Sequence, residues 1–154
     1  MNVAVISDSH GAKRRLKQIR ELCSAYSIDC IIHLGDIVDD AEELRANTSL
    51  PLYNVAGNCD YECFCPREQI LTLAGHRILL THGNQYGVKF GYERLSYAAE
   101  EKMAKIALFG HTHRGFAAFV GGVLLINPGA LKNGDWCLLK ISEKDVIPYL
   151  KNLD

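Results

Sequence analysis

The stretch that decides the fold is VAVISDSHG at residues 3–11. Its first four residues are apolar and predict a buried β-strand, and residues 12–26 then carry a helical stripe of apolar side chains. Open α/β sheets bind ligands at the carboxyl ends of their strands. We therefore expect Asp8 and His10, which follow the strand directly, to lie at a functional end of the sheet.

The same alternation continues through the first third of the chain. Residues 30–35 form a second apolar run, a short helix follows with Asp39 or Asp40 as its expected N-cap, and residues 52–57 predict a third strand. This β-α-β-α-β order indicates parallel strands joined by right-handed crossovers.

The rest of the chain favours hairpins in series. A helix is expected at 92–104 and a buried strand at 106–109. The hairpins are predicted at 68–74 with 77–82 around Gly75-His76, at 115–120 with 123–127 around Gly121-Gly122, and at 136–142 with 145–150 around Glu143-Lys144. Together the two halves suggest an α/β (α+β) fold in which two sheets pack face to face with helices outside.

Size and composition predict one domain spanning 1–154. The net charge of −1 lacks the cationic excess with which proteins grip long nucleic acids, so a small phosphate compound is the expected target. No apolar run is long enough to span a bilayer, and the N-terminus shows no leader, so we expect a cytoplasmic protein without membrane contact.

Cys59, Cys63 and Cys65 are either ordinary reduced thiols or part of a thiolate metal site, for which a second cysteine pair is missing.

Seven potential metal ligands fall in five clusters, each at a predicted strand end and beside a glycine. They are Asp8, His10, Asp36, Asn58, His82, His111 and His113. A carboxylate such as Asp36 can bridge two cations, and an amide such as Asn58 ligates without adding charge and can donate to a phosphate oxygen. Two cations about 3.5–4 Å apart, with a shared hydroxide as nucleophile, hydrolyse phosphate esters.

Each cluster also has an ordinary explanation on its own. Asp8 or Ser9 could cap the following helix, and the glycine–asparagine pair at 57–58 is a common turn. Four of the six histidines nevertheless fall at strand ends beside glycine, whereas His33 and His76 lie outside the pattern and are expected to be structural.

The five clusters, in this order, resemble the calcineurin-like metallophosphoesterases over nearly the whole chain. The segments HGNQYGVK at 82–89 and NPG at 127–129 are similar to the small YfcE-type phosphodiesterase branch. The resemblance implies a four-layer αββα fold with two stacked mixed sheets. It also implies a phosphodiesterase with two divalent ions, manganese being expected and iron, nickel or zinc being alternatives.

The resemblance further implies how the ligands divide. One ion would take Asp8, His10, Asp36 and His113, and the other would take Asp36, Asn58, His82 and His111. Many relatives have a histidine where this chain has Cys59, and that histidine is thought to help protonate the leaving group. We therefore expect activated aryl phosphodiesters to react faster than alkyl phosphomonoesters. Arg114 is a further candidate phosphate contact.

Two other functions fit parts of the pattern. One is a non-catalytic metal-binding scaffold, similar to the retromer subunit that shares this fold and acts through protein contacts. The other is a nucleotide pyrophosphohydrolase. Relatives often associate, so the resemblance also implies a homo-oligomer.

Overall fold

The computed structural model describes all 154 residues as two five-stranded sheets and three α-helices. The strands are β1 (Asn2–Ile6), β2 (Cys30–His33), β3 (Leu52–Asn54), β4 (Glu68–Leu73), β5 (His76–Thr81), β6 (Ile106–Leu108), β7 (Gly115–Val120), β8 (Val123–Pro128), β9 (Asp135–Ile141) and β10 (Val146–Asn152). The helices are α1 (Lys13–Ala25), α2 (Val38–Ala46) and α3 (Glu93–Glu101). None of them has the length and apolar character that crossing a bilayer needs.

Both sheets mix parallel and antiparallel pairs. The first has the order β10-β9-β1-β2-β3, in which β1, β2 and β3 are parallel and β9 runs antiparallel to β1. The second has the order β4-β5-β6-β8-β7, in which β5, β6 and β8 are parallel. This arrangement confirms the predicted fold of two stacked mixed sheets.

Alternation of side chains along the strands builds the four layers. In β1, Val3 and Val5 point into the core between the sheets, while Ala4 and Ile6 pack against α1 and α2. Leu79 of β5 lies on the outer face of the second sheet, against α3. Each strand near the middle of a sheet is therefore apolar on both faces, which explains the continuous apolar runs in the sequence.

Two details of the prediction are wrong. The three predicted hairpins are present as the antiparallel pairs β4–β5, β7–β8 and β9–β10. They do not follow one another as a meander, however, because β5, β6 and β8 are parallel and need crossovers between them. The N-cap of α2 is Ile37, in a left-handed conformation with φ 73°, rather than Asp39 or Asp40, which lie in the first turn. The carboxylate of Asp60 supplies the cap from a distant loop by accepting the amide protons of Ile37 and Val38 at 3.0 and 2.7 Å.

Candidate metal centre

Five loops converge at the end of the sandwich where β1, β2, β3, β5 and β6 finish, called here the site end. They carry the residues that the sequence analysis singled out. Asp8, Asp36 and His82 are buried there, with exposed fractions of 0%, 2% and 0%. His10 and His113 are partly exposed, so the buried groups open toward solvent on one side.

The two carboxylates are held from behind by hydrogen bonds. Asp8 Oδ2 accepts from Ser7 Oγ at 2.7 Å and from the His111 amide at 3.0 Å. Asp36 Oδ1 accepts from the Cys59 amide at 2.9 Å. In each case the second oxygen remains turned toward the imidazoles.

Imidazole nitrogens surround those free oxygens. His113 Nε2 lies 3.0 Å from Asp8 Oδ1, and His10 Nε2 lies 3.8 Å from the same atom and 3.7 Å from Asp36 Oδ2. His82 Nε2 lies 3.4 Å from Asp36 Oδ2 and 3.2 Å from His111 Nδ1. Ligand atoms bound to one ion through bonds of about 2.0–2.2 Å are separated by about 3–4 Å, so these spacings fit coordination.

Two buried polar atoms at the site end have no hydrogen-bond partner. Such atoms indicate whether the surrounding residues are suited to bind a cation. They are Asp8 Oδ1 and His10 Nε2. Leaving a buried acceptor unpaired costs about 1–3 kcal/mol, and more when it is charged. His82 Nδ1 meanwhile lies 2.8 Å from the Leu34 carbonyl, and donating to that oxygen leaves Nε2 free as a ligand. The residues therefore fit a metal centre.

Charge at the site end raises one pKa and lowers another. Burial alone would lower the pKa of His82, but its hydrogen bond to Asp36 and the charges of Asp8 and Asp36 raise the pKa above its ordinary value. Burial alone would raise the pKa of Asp36, but its contacts with His82 and the Cys59 amide hold that pKa well below its usual range. Two buried carboxylates thus draw positive charge to this place.

Left-handed backbone marks five of the predicted ligands. Positive φ angles occur at Asp8 (54°), His10 (46°), Asp36 (57°), His111 (68°) and His113 (60°). Such conformations are uncommon outside glycine, and strained backbone concentrates at functional sites. Gly57 is needed for a different reason, since a Cβ there would collide with Asp36 Oδ1.

Asn58 is the one predicted ligand that does not join the cluster through its own contacts. Its side chain is exposed, and its only hydrogen bond runs from Nδ2 to Cys59 Sγ at 3.6 Å. A role for Asn58 as a ligand therefore stays a prediction from the sequence.

Two supporting residues were not assigned a role from the sequence. Asp60 accepts from the Gly57 amide at 2.8 Å as well as from the start of α2, so its carboxylate joins the loops after β2 and β3. Asn127, fully buried, donates to the Gly110 carbonyl at 2.9 Å and to Thr112 Oγ1 at 3.0 Å, which fixes the loop of His111. Asp60 lies two residues after Asn58, and Asn127 begins the NPG segment at 127–129, but their partners in other loops are distant in the chain.

Arg114 lines a cleft of about 380 Å³ together with Val88, Lys89, Tyr92 and Thr112. The cleft adjoins the cluster, because Thr112 lies between the two histidines of the last loop. Lys89 and Arg114 are both exposed and give this cleft a positive charge. An anionic group could be held there beside the carboxylate–imidazole cluster.

The family model for the calcineurin-like phosphoesterase superfamily domain matches residues 1–141. YsnB of Bacillus subtilis, a probable metallophosphoesterase, is 38% identical over 132 residues, which cover 86% of this chain and 76% of that protein. The vacuolar protein sorting-associated protein 29 of Schizosaccharomyces pombe is 32% identical over 159 residues, covering 100% of this chain and 84% of that protein. A crystal structure of a predicted phosphoesterase from Streptococcus pneumoniae superposes with a TM-score of 0.80 at 27% identity, covering 99% of this chain and 89% of that one.

Proposed function

The chain belongs to the calcineurin-like phosphoesterase superfamily, and we propose that it is a phosphodiesterase working with two divalent metal ions. One observation carries this proposal. Six of the seven predicted ligands meet at the site end, where Asp8 Oδ1 and His10 Nε2 are buried without partners. A cation would satisfy both the carboxylate oxygen and the imidazole nitrogen, which lie 3.8 Å apart, without adding a further side chain.

The proposed ligand sets are those that the family resemblance implies. Asp8, His10, Asp36 and His113 would hold one ion, and Asp36, Asn58, His82 and His111 would hold the other. The position of Asp36 Oδ2 is compatible with a bridging role, since it lies 3.7 Å from His10 Nε2 and 3.4 Å from His82 Nε2. Asp8 Oδ1 also lies 3.8 Å from His82 Nε2, so the assignment of the bridge to Asp36 rests on the family resemblance. Manganese is the expected metal, with iron, nickel and zinc as alternatives.

The residues around the ions have distinct tasks in the proposed reaction. Bound ions would supply positive charge for the phosphate oxygens and a more acidic water. Asp60 and Asn127 would keep the ligand loops in place through the amide and carbonyl contacts described above. Lys89 and Arg114 would orient the anionic substrate from the adjoining cleft, and Tyr92 would give that cleft an apolar wall.

Cys59 bears on which esters react. Burial and the neighbouring charge of Asp36 raise the pKa of the Cys59 thiol, so the thiol is a weaker acid than an imidazolium. Esters whose leaving group needs no proton should therefore react fastest. We expect aryl phosphodiesters to be better substrates than alkyl phosphomonoesters.

Metal analysis and a hydrolysis assay test the proposal together. The purified chain should bind two equivalents of manganese after chelator treatment, and it should hydrolyse bis-p-nitrophenyl phosphate only when metal is present. Absence of metal binding, or metal binding without hydrolysis under manganese, iron, nickel and zinc, would contradict it.

A second candidate is a metal-binding scaffold that acts through protein contacts. The match to a vacuolar protein sorting-associated protein over the whole chain favours it, as do the exposed apolar side chains of Phe119 on β7 and of Ile147 and Leu150 on β10. Two equivalents of metal without turnover would point to this function.

A screen that includes dinucleoside polyphosphates would separate the phosphodiesterase from a nucleotide pyrophosphohydrolase. The cytoplasmic location and the oligomeric state remain predictions.

A further inference from the structure

β7 is an edge strand of the second sheet, and its sequence does nothing to discourage a further strand from pairing with it. The strand reads GFAAFV and has neither a charged residue nor a proline. The other three edge strands each have a feature that opposes such pairing. β3 is three residues long, β4 carries Glu68, and β10 carries Pro148 and Lys151.

Alternate residues of β7 direct their backbone N–H and C=O groups away from the sheet. Leu124 and Ile126 of β8 use their backbone groups on the other side, with residues in and beside β6. Because hydrogen bonds alternate along an antiparallel ladder, the residues opposite them, Phe119 and Ala117, do not bond to β8. Together with Gly115, these two residues offer unpaired donors and acceptors along the free edge.

We propose that β7 pairs antiparallel with β7 of a second copy of the chain, about a two-fold axis at Ala117. Outward-directed groups pair only with outward-directed groups, which limits the axis to a residue position rather than a point between two residues. At Ala117 the axis places Phe119 opposite Gly115 and Phe116 opposite Ala118. Every aromatic ring in the pairing then faces a small residue, and the interface is the same for both copies.

Neighbouring registers lack this fit. An axis at Phe116 would place that ring opposite its own copy, and an axis at Ala118 would place Phe116 opposite Val120. Bulky side chains would then oppose one another while small residues opposed small ones. The sequence of β7 therefore favours one register of self-pairing.

The pairing would also cover two apolar side chains that are exposed in the single chain. Phe119 is 72% exposed, and Leu150 of β10 is 45% exposed. Leu150 lies over Gly115, since a Cβ on that glycine would be 3.2 Å from Leu150 Cδ1. Phe119 of one copy, placed opposite Gly115 of the other, would therefore reach the Leu150 of that other copy. An aromatic ring that covers a glycine across two strands is a known stabilising arrangement.

Charges at the two ends of β7 are complementary in this register. Arg114 directly precedes β7 and would lie beside the turn at Gly121 and Gly122 of the second copy. Glu100 is held at that turn, with its Oε1 3.4 Å from the Gly122 amide. Arg114 and Glu100 are both exposed and opposite in charge, and the two-fold axis brings them together twice.

The second copy would thus contribute to the cleft beside the metal centre, which Arg114 lines. A guanidinium has five N–H donors, so Arg114 can meet both the carboxylate of Glu100 and a substrate phosphate. The proposed pairing does not depend on the proposed function, because it rests on β7 and its neighbours alone.

Light scattering coupled to size-exclusion chromatography tests the pairing. The full-length wild type should have about twice the mass of one chain. Ala117 is exposed, and Ala117→Lys would bring two like charges together at the axis, so this variant should have the mass of one chain. Phe64→Lys, the matched control, replaces an exposed apolar residue beside β3 and should remain a dimer. A monomeric wild type, which would leave β7 to a different protein, or a dimeric Ala117→Lys would overturn the proposal.

Mixing two variants tests the register itself. Ala117→Glu alone should also be monomeric, and an equimolar mixture with Ala117→Lys should form dimers because unlike charges then meet at the axis. Thermal unfolding should show that both variants are folded before they are mixed. A mixture that stays monomeric would overturn the proposal. Hydrolysis of bis-p-nitrophenyl phosphate by a wild type that proves monomeric would leave the proposed function standing and reject this inference alone.

Discussion

The two sheets contribute different chemistry to the site end. The first supplies both buried carboxylates, Asp8 and Asp36, from the loops after β1 and β2, together with one imidazole. The second supplies imidazoles only, from His82, His111 and His113. The shortest carboxylate–imidazole contacts, at 3.0 and 3.4 Å, therefore cross between the sheets. A cation bound there would join the two sheets.

The largest effect is expected from Asp36, the carboxylate proposed to serve both ligand sets. Asp36→Asn should lower kcat/KM for bis-p-nitrophenyl phosphate by about 10²–10³-fold, because both ions lose an anionic ligand. Metal analysis should show reduced content in the same variant. Asp39→Asn removes an equal charge from an exposed position on α2 and should leave both properties unchanged. Full metal content with unchanged activity in Asp36→Asn would refute a bridging role.

Two buried histidines, His33 and His82, differ in the direction of their pKa shifts, and the pKa of His33 predicts how the stability of the metal-free protein depends on pH. Unlike His82, His33 of β2 has its pKa lowered to about 4 by burial, and its ring contacts Ser9 Oγ and the Gly35 amide. Since the unfolded chain binds a proton near pH 6.5 and the folded chain does not, stability should fall as the pH drops from about 6.5 to about 4, by about 3 kcal/mol in all.

Unfolding by urea at several pH values measures this effect. His33→Asn should flatten the dependence across that window, relative to the wild type, because the variant lacks the titrating ring. The same slope in both proteins would show that His33 is not the group responsible.

The contribution of the second sheet to metal binding can be tested with two histidines at opposite ends of β5. His82 follows the end of β5 at the site end, and His76 begins β5 at the opposite end, where its ring contacts the Ser142 carbonyl. His82→Asn should lose about ten- to a hundredfold in affinity for one of the two ions and keep the other. His76→Asn should bind both ions normally. Simultaneous loss of both ions from His82→Asn would contradict the proposed division of ligands.

The smallest expected effect concerns the cleft beside the second sheet's histidines. Arg114→Ala should raise KM by up to about fivefold with little change in kcat, since an exposed cation contributes modestly to anion binding. Lys140→Ala removes a cation from β9 of the first sheet, outside the cleft, and is the matched control. A fall in kcat at constant KM for Arg114→Ala would assign this residue to the transition state instead.

Much of this arrangement could be predicted from the sequence because the strands carry strong local signals. Three of these signals predicted elements close to those observed. They are the apolar run at 3–6 for β1, the helical stripe for α1 and the glycine pair at 121–122 for the turn between β7 and β8. Seven ligands were predicted to converge because parallel strands finish at a common end, and the structure brings six of them together, with the exposed side chain of Asn58 outside the cluster. Whether they hold metal remains a prediction.

What the sequence could not show depends on distant partners. The parallel pairing of β5, β6 and β8 is set by tertiary packing of strands that are equally apolar on both faces. The cap of α2 comes from Asp60, and the position of Cys59 beside His10 depends on how the loops after β1 and β3 fold against each other. Short-range patterns carry no information about such contacts.

The pairing of β1 with β9 affects how the molecule is made. Val5 lies opposite Cys137, and the amide of Leu131 donates to the Ser7 carbonyl, so the segment that carries Asp8 acquires its neighbours late. At about 5–20 residues per second, a ribosome releases β9 on the order of ten seconds after β1. Until then β1 has an open side, and its loop lacks the support that orients Asp8. Metal uptake should therefore follow synthesis rather than accompany it.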